Sequence, residues 1–315
     1  MKSFDLAKTG GHLEHDLRQC VVDLNPMTES AVPPRPVWLR ILQSPLTRLI
    51  VLGYGLFYLM GWTEARIQQF KENPGIGAAI TLGLGLVGLG IYFAWGKWIE
   101  RREVTELSLP GMPRQWGIGA LLGFGLYSGC AGILMILGIY QIEGFNPLSF
   151  MVPAIAMAVK SGIFEELVFR GVLFRSVEDL AGSWVALILS SLVFGFLHLL
   201  NPAATIASAA YISIEAGVLL GAAYLLTRRL WMGIGFHMVW NYVQSAVYSG
   251  VVSGGVDEPG LLKAKIEGPH LLTGGSFGME LSVCALVLCT TAGVILLVKA
   301  VRRGHIQPPP WKRKG

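Results

Sequence analysis

Charged residues interrupt an apolar stretch near the middle of the chain. Residues 164–174 read FEELVFRGVLF, so Glu165, Glu166 and Arg170 stand among hydrophobic side chains. An ionisable group inside a membrane costs about 2.5 kcal/mol or more and usually marks function. Glu166 and Arg170 have the i,i+4 spacing that favours an ion pair. Glu165 lies about 100° away around the helix, so its carboxylate points elsewhere and is available for acid–base chemistry or a proton relay.

Two later apolar stretches carry imidazoles and an amide. The segment FGFLHLLNP contains Phe194 and His198, and the segment GFHMVWNY contains His237 and Asn241. Each pair is spaced i,i+4, so its two side chains share one face of a helix. The polar residues of the apolar stretches therefore cluster in the second half of the chain.

The rest of the chain has the composition of an integral membrane protein. Of its 315 residues 53% are hydrophobic and 14% are charged, whereas soluble domains average about 25% charged residues. Continuous apolar runs favour helices over strands, and a crossing needs about 20 such residues. We predict an all-α, polytopic protein with about eight transmembrane helices, at residues 46–63, 76–96, 116–140, 148–168, 184–200, 203–226, 231–250 and 276–300.

The distribution of Lys and Arg predicts the orientation. With eight crossings and a cytoplasmic N-terminus, most of the basic residues fall on the cytoplasmic side, which is the bias that sets topology. The net charge of +5 then reflects topology and anionic lipids, and no nucleic-acid motif is present. We expect a multi-pass protein of the cell (inner) membrane with both termini in the cytoplasm.

The same reasoning predicts the domain organisation. Residues 1–44 form a polar cytoplasmic segment, residues 45–300 a single transmembrane helical domain with its core at 148–245, and residues 301–315 a basic cytoplasmic tail. The end of that tail, QPPPWKRKG, is expected to be disordered and to face lipid.

A helical hairpin would bring the polar residues to one depth. Residues 168–180 contain no proline, so the fourth helix is predicted to continue to about residue 180 and to turn at Ala181-Gly182-Ser183. Glu165 and His198 are then equally far from the tip, about 22–25 Å at a rise of about 1.5 Å per residue. His237 is expected about 10–12 Å inside the cytoplasmic face. The sequence thus predicts a polar cavity between the fourth, fifth and seventh helices.

These three motifs resemble those of the CAAX-prenyl-protease and bacteriocin-processing family of intramembrane peptidases. The family motifs EExxxR, FxxxH and HxxxN (or HxxxD) correspond here to residues 165–170, 194–198 and 237–241, and the resemblance covers roughly residues 148–245. It implies an intramembrane endopeptidase that cuts near the cytoplasmic side of the membrane. Its implied site residues are Glu165 as the activator of a water, His198 as its assistant, His237 and Asn241 at the oxyanion, and Glu166, Arg170 and Phe194 as supporting residues.

These implied roles agree with the chemistry of the residues. A buried carboxylate can serve as a general base near neutral pH, and imidazole and amide N–H groups stabilise a developing negative charge. We expect no cofactor. Glu165, His198 and His237 could instead supply the three protein ligands of a catalytic zinc, although no HExxH motif is present, and this metal-dependent alternative stays open.

Other functions also fit the residues. The expected partners are a membrane-associated protein or peptide substrate and the lipid bilayer, with no nucleic acid. One alternative is a non-catalytic family member that acts as a scaffold, a regulator or an immunity factor against a peptide toxin. Another is a proton-coupled transporter, which the confinement of the polar residues to one half of the chain disfavours. Lys160 is expected to reach the lipid interface or to pair with Glu215.

Overall fold

The computed structural model describes residues 36–312. The chain divides into two compact units, Met1–Arg40 and Ile41–Gly315. The first unit is described only from residue 36, just before the short helix Val37–Leu42. Most of the predicted N-terminal segment, 1–44, therefore lies outside the described residues, as do residues 313–315 of the predicted tail.

Eight long helical stretches follow one another in the order of the predicted spans. Within residues 36–312, seven of them are long and apolar enough to cross a membrane. The seventh in chain order is a 12-residue helix that continues into the π-helical turn Val243–Val247. The fold class is the all-α polytopic architecture that the sequence predicts. The helices are α1 (Pro45–Gln69), α2 (Pro74–Ile99), α3 (Met112–Ile136), α4 (Leu148–Ala181), α5 (Ser183–Leu200), α6 (Ile206–Thr227), α7 (Trp231–Tyr242) and α8 (Val283–Arg302).

Helix α7 packs closely along α3. A Cβ atom at Gly119 would overlap the carbonyl oxygen of Met232, and one at Gly123 would lie 2.6 Å from the carbonyl oxygen of Phe236. From Gly119 to Gly123, one turn along α3, the contacted residue moves from Met232 to Phe236, one turn along α7. Both chains therefore proceed in the same direction, and the two helices run parallel. Glycine on α3 is what allows this approach of the two backbones. Because α7 carries His237 and Asn241, its contact with α3 fixes the position of two predicted site residues.

Two short strands lie in the connections after α3 and α7. Strand β1 (Tyr140–Phe145) pairs antiparallel with β2 (Leu262–Ile266), with Tyr140 opposite Ile266 and an irregularity between Ile142 and Gly144. The continuous apolar runs exclude strands only within the spans, and this small sheet lies outside them. It joins the segments that follow two parallel helices.

Helices α4 and α5 form the predicted hairpin. Helix α4 runs 34 residues to Ala181, the turn is made by Gly182 with φ +83°, and α5 begins at Ser183. The extension of α4 beyond residue 168 is confirmed. Helix α4 contains two π-helical segments, Ser161–Glu165 and Leu167–Phe174, and π-helical turns are frequent at functional sites.

The C-terminal segment contacts this hairpin turn. The backbone N–H of Ser183 donates to the carbonyl of Gln307 at 3.0 Å, and the N–H of Gln307 donates to Oγ of Ser183 at 2.8 Å. The first N–H groups of a helix have no partner within the helix, and the tail supplies one here. The expectation of a disordered tail is therefore wrong at Gln307, whereas the expected contact of the tail with lipid stays a prediction.

An ionic cluster joins the end of α2 to α1 and α4. Glu100 pairs with Arg48 at 2.5 Å, with Arg175 at 3.0 Å and with Arg102. Glu106 pairs with Arg102 at 2.6 Å and with Arg175 at 3.3 Å. Burial opposes the ionisation of Glu100, but the surrounding guanidinium groups outweigh it and lower the pKa of this carboxyl to about 2.

We predict that Gly123→Ala destabilises the protein. The new methyl group would meet the backbone of α7, which cannot move aside as a flexible side chain can, and overpacking of this kind costs about 1–3 kcal/mol. Thermal unfolding in detergent should show a lower Tm. The matched control is Gly125→Ala on the same helix, where a Cβ atom meets nothing within 4 Å and where alanine favours the helix. An equal loss of Tm in both variants would contradict the close α3–α7 contact.

We predict that Glu100→Gln lowers Tm at neutral pH and has less effect in acid. The lowered pKa means that Glu100 stabilises the folded state above the ordinary carboxyl pKa. This contribution is lost as the pH falls through the folded value of about 2. The Tm difference between wild type and variant should therefore shrink as the pH falls below the ordinary carboxyl range. Glu103, an exposed carboxylate in the same loop, provides the control Glu103→Gln, for which we expect a small effect at every pH.

Candidate active site

Four of the predicted site residues line one cavity among the described helices. Its volume is about 520 Å³, and Glu165, His198, His237 and Asn241 are all part of its wall. These residues come from α4, from the end of α5 and from α7. The structure thus brings together the four residues whose chemistry the sequence singled out, in the cavity between the helices predicted to form it. Their roles in a reaction remain predictions.

Glu165 and Glu166 contact the same imidazole from two sides. Oε2 of Glu165 lies 3.7 Å from Nε2 of His237, and Oε1 of Glu166 lies 3.2 Å from Nδ1 of the same ring. The Glu165 side chain keeps 17% of its surface exposed, whereas that of Glu166 keeps 1%. The two adjacent carboxylates therefore differ in access to water, and Glu165 is the one that can meet a molecule in the cavity.

Arg170 holds the buried carboxylate and contacts two further helices. Its Nη1 donates to Oε1 of Glu166 at 2.9 Å, which is the i,i+4 ion pair that the spacing predicts. The guanidinium carbon lies 4.6 Å from the ring centre of Phe194 on α5, within the range of a cation–π contact. Nη2 of Arg170 donates to the carbonyl of Gly217 on α6 at 3.3 Å. The Arg170 side chain on α4 thus makes direct contacts with both α5 and α6.

Phe194 and His198 form the α5 side of the site. Nδ1 of His198 lies 2.8 Å from the carbonyl oxygen of Phe194. If Nδ1 carries the proton and donates to that carbonyl, Nε2 is left as an acceptor. The ring of Phe194 lies 4.9 Å from the ring of His198 and 5.9 Å from that of His237. The phenyl ring therefore spaces the two imidazoles.

Ser161 is a further residue of the site, and the three motifs do not include it. Its Oγ accepts a hydrogen bond of 2.8 Å from Nδ2 of Asn241, and it lines the same cavity. A primary amide has two N–H donors, so one N–H of Asn241 remains for a group in the cavity. Ser161 precedes Glu165 by four residues, and this spacing within an apolar run is the signal that could have revealed it.

Lys160 has a different partner from the one predicted. Its Nζ lies 2.6 Å from Oε2 of Glu64 on α1, so the expected pairing with Glu215 is wrong. Both Lys160 and Glu64 line the cavity, whereas Glu215 is buried on α6 behind it. No motif marks Glu64, because α1 lies outside the motif region, and only the packing of α1 against α4 brings this carboxylate to the cavity.

The potential zinc ligands do not form a metal site in this arrangement. In the part of the chain that the structure describes, no three His, Cys, Asp or Glu side chains are placed to hold a metal ion. The two nitrogens of His237 face two carboxylates, and Nδ1 of His198 faces a backbone carbonyl. A carboxylate or carbonyl at Nδ1 is also what a metal-ligating histidine has, so these contacts do not decide against zinc. The three potential ligands do not come together among the described residues, and we derive no reaction step through a metal.

Comparison with known proteins gives one match. Residues 147–243 match the family model described as type II CAAX prenyl endopeptidase, Rce1-like. No significant match is found among curated proteins or among solved structures. The matched segment contains α4 to α7 and all the predicted site residues, and it supports an intramembrane protease of the CAAX type. The match supports the resemblance of residues 147–243 to the CAAX-prenyl-protease and bacteriocin-processing family.

Proposed function

We propose that the protein is an intramembrane endopeptidase in which Glu165 activates the attacking water. The observation that carries this proposal is the approach of Oε2 of Glu165 to within 3.7 Å of Nε2 of His237, in a cavity that His198 and Asn241 also line. A partly exposed carboxylate beside buried hydrogen-bond donors is the arrangement that peptide hydrolysis needs.

The reaction begins with the transfer of a proton from water to Glu165. As the water oxygen bonds to the carbonyl carbon of the scissile peptide, the carbonyl electrons move to oxygen and form an oxyanion. His198 accepts a hydrogen bond from the same water at Nε2 and orients it. Collapse of the oxyanion then breaks the C–N bond, and the proton held by Glu165 passes to the departing amine nitrogen.

His237 and Asn241 stabilise the oxyanion. Asn241 donates one amide N–H to Ser161 and offers the other to the cavity. In its doubly protonated form, His237 donates Nδ1–H to Glu166 and presents Nε2–H on the side of Glu165, where the oxyanion forms. Removing one donor of this kind costs about 10²–10³ in kcat in a studied protease.

Glu166 and Arg170 position His237. Glu166 is held by Arg170 at 2.9 Å and faces Nδ1 of His237 at 3.2 Å, so the imidazole cannot rotate without losing this contact. Both charged side chains are 1% exposed, and an ion pair so deeply buried is strongly destabilised when one partner is removed. Their part in the reaction is therefore to fix geometry rather than to exchange protons with the substrate.

The substrate is a membrane-associated protein or peptide. A segment of such a substrate enters the cavity from the bilayer and is cut near the cytoplasmic face. Cleavage near the cytoplasmic face follows from the orientation that the basic residues predict. In that orientation the protein lies in the cell (inner) membrane with both termini in the cytoplasm.

We predict that Glu165→Gln abolishes cleavage and leaves the fold intact. The amide cannot take a proton from water, so the rate should fall at least about 100-fold, while Tm should change little because the side chain is partly exposed to the cavity. The measurement compares peptide termini in membranes that contain wild type or variant. Glu64→Gln is the control, since it removes a carboxylate from the same cavity without removing the base. A Glu165→Gln variant that generates the same termini at the wild-type rate would favour the non-catalytic alternative.

We predict that chelators leave cleavage unchanged. We call the peptide termini that wild type generates and Glu165→Gln does not the Glu165-dependent termini. The described residues provide no three-ligand set for zinc, so EDTA or phenanthroline should not alter the rate at which these termini appear. A zinc endopeptidase treated in the same membranes shows that the chelator is effective. Loss of cleavage with chelator and its recovery on adding zinc would contradict the metal-free mechanism and would support zinc bound by Glu165, His198 and His237.

A further inference from the structure

Glu215 is a buried carboxyl group that the proposed mechanism does not use. It is 2% exposed, and its Oε2 has no hydrogen-bond partner among the described residues. It belongs to the π-helical segment Ser213–Gly217 within α6. A polar group without a partner in the interior costs stability, and an ionisable group within a membrane costs more. Its presence in α6 therefore calls for a role that outweighs this cost.

Glu215 lines a second, small cavity that adjoins the candidate active site. Four residues of this wall, His198, His237, Asn241 and Ser253, also line the large cavity. The small cavity has a volume of about 20 Å³, and a single water needs about 10–15 Å³. It is therefore large enough for one water between Glu215 and the back of the site.

The other carboxylate of the small cavity is fully bonded. Glu280 accepts hydrogen bonds from Nε1 of Trp240 at 2.9 Å, and from the N–H and Oγ of Ser253 at 2.6 and 2.8 Å. These donors explain Glu280 as a structural residue that joins the turn before α8 to α7 and to the loop at Ser253. No described group does the same for Glu215, so the two buried acids of one cavity have different functions.

We propose that Glu215 is a positioning residue that orients the amide of Asn241 through a water held in the small cavity. This inference deepens the proposed protease function and rests on it. Neutral Glu215 donates its O–H to the water, and the water donates to Oδ1 of Asn241. The amide oxygen then faces the small cavity, and the N–H groups face Ser161 and the oxyanion.

The contacts of the neighbouring polar groups favour Asn241 as the group that is oriented. Both nitrogens of His237 face carboxylates, and Nδ1 of His198 faces a carbonyl. Nδ2 of Asn241 is held by Ser161, which leaves its Oδ1 for a donor from the opposite side. An amide that rotated by half a turn would present its oxygen to the oxyanion and would repel it.

The test uses the full-length protein with two substitutions of Glu215. Glu215→Leu removes the hydrogen-bonding group at similar volume. We expect it to leave the protein folded, because an apolar side chain of similar size replaces a buried carboxyl group. It should lower the rate of formation of Glu165-dependent termini by about 10-fold or more through loss of orientation. Glu215→Gln keeps a donor for the water and should retain the rate within about 3-fold of wild type.

A packing control separates orientation from a change in cavity shape. Leu220→Ala alters an apolar wall of the same cavity and should lower Tm while the cleavage rate stays near that of wild type. A Glu215→Leu variant that cleaves at the wild-type rate, or a Glu215→Gln variant that is as slow as Glu215→Leu, would overturn the positioning role. Absence of Glu165-dependent termini in the wild type would instead refute the proposed protease function itself.

Discussion

Two oppositely charged side chains, Glu166 and Arg170, lie together where almost no solvent reaches them. The guanidinium group contacts Phe194 on α5 and a carbonyl of α6, while the carboxylate contacts His237 on α7. One ion pair on α4 therefore contacts each of the other three helices of the matched domain. In a low-dielectric interior neither charge is tolerated without the other, so these contacts are made together or not at all.

The local shape of α4 determines how the adjacent acids are used. Glu165 ends one π-helical segment, and the next begins at Leu167. The two carboxylates approach one imidazole at opposite nitrogens. The deeper acid is neutralised by Arg170 and holds the ring. The shallower acid keeps some access to water in the cavity. One residue of difference in chain position thus separates a structural function from the catalytic function that we propose for Glu165.

The cavity also shows how a membrane helix bundle tolerates polar side chains. Most of those near the site are bonded to another helix or loop: Asn241 to Ser161, Lys160 to Glu64, and Glu280 to Trp240 and Ser253. Each such bond satisfies a group that would otherwise be costly in lipid. Glu215 departs from this pattern among the described residues, which is why it indicates function more strongly than its satisfied neighbour Glu280.

By itself the sequence determined the helical class, the approximate spans, the α4–α5 hairpin and the ion pair between Glu166 and Arg170. These depend on continuous hydrophobicity and on the i,i+4 geometry within one helix, both of which are local. Only the tertiary structure decided that Lys160 pairs with Glu64, that Ser161 holds Asn241, that Gln307 bonds to the hairpin turn and that Oε2 of Glu215 has no partner among the described residues. Those contacts join residues far apart in the chain, and they depend on which helix faces pack together. Local periodicity does not encode that choice, because in a bilayer most faces of an apolar helix are equally acceptable to lipid.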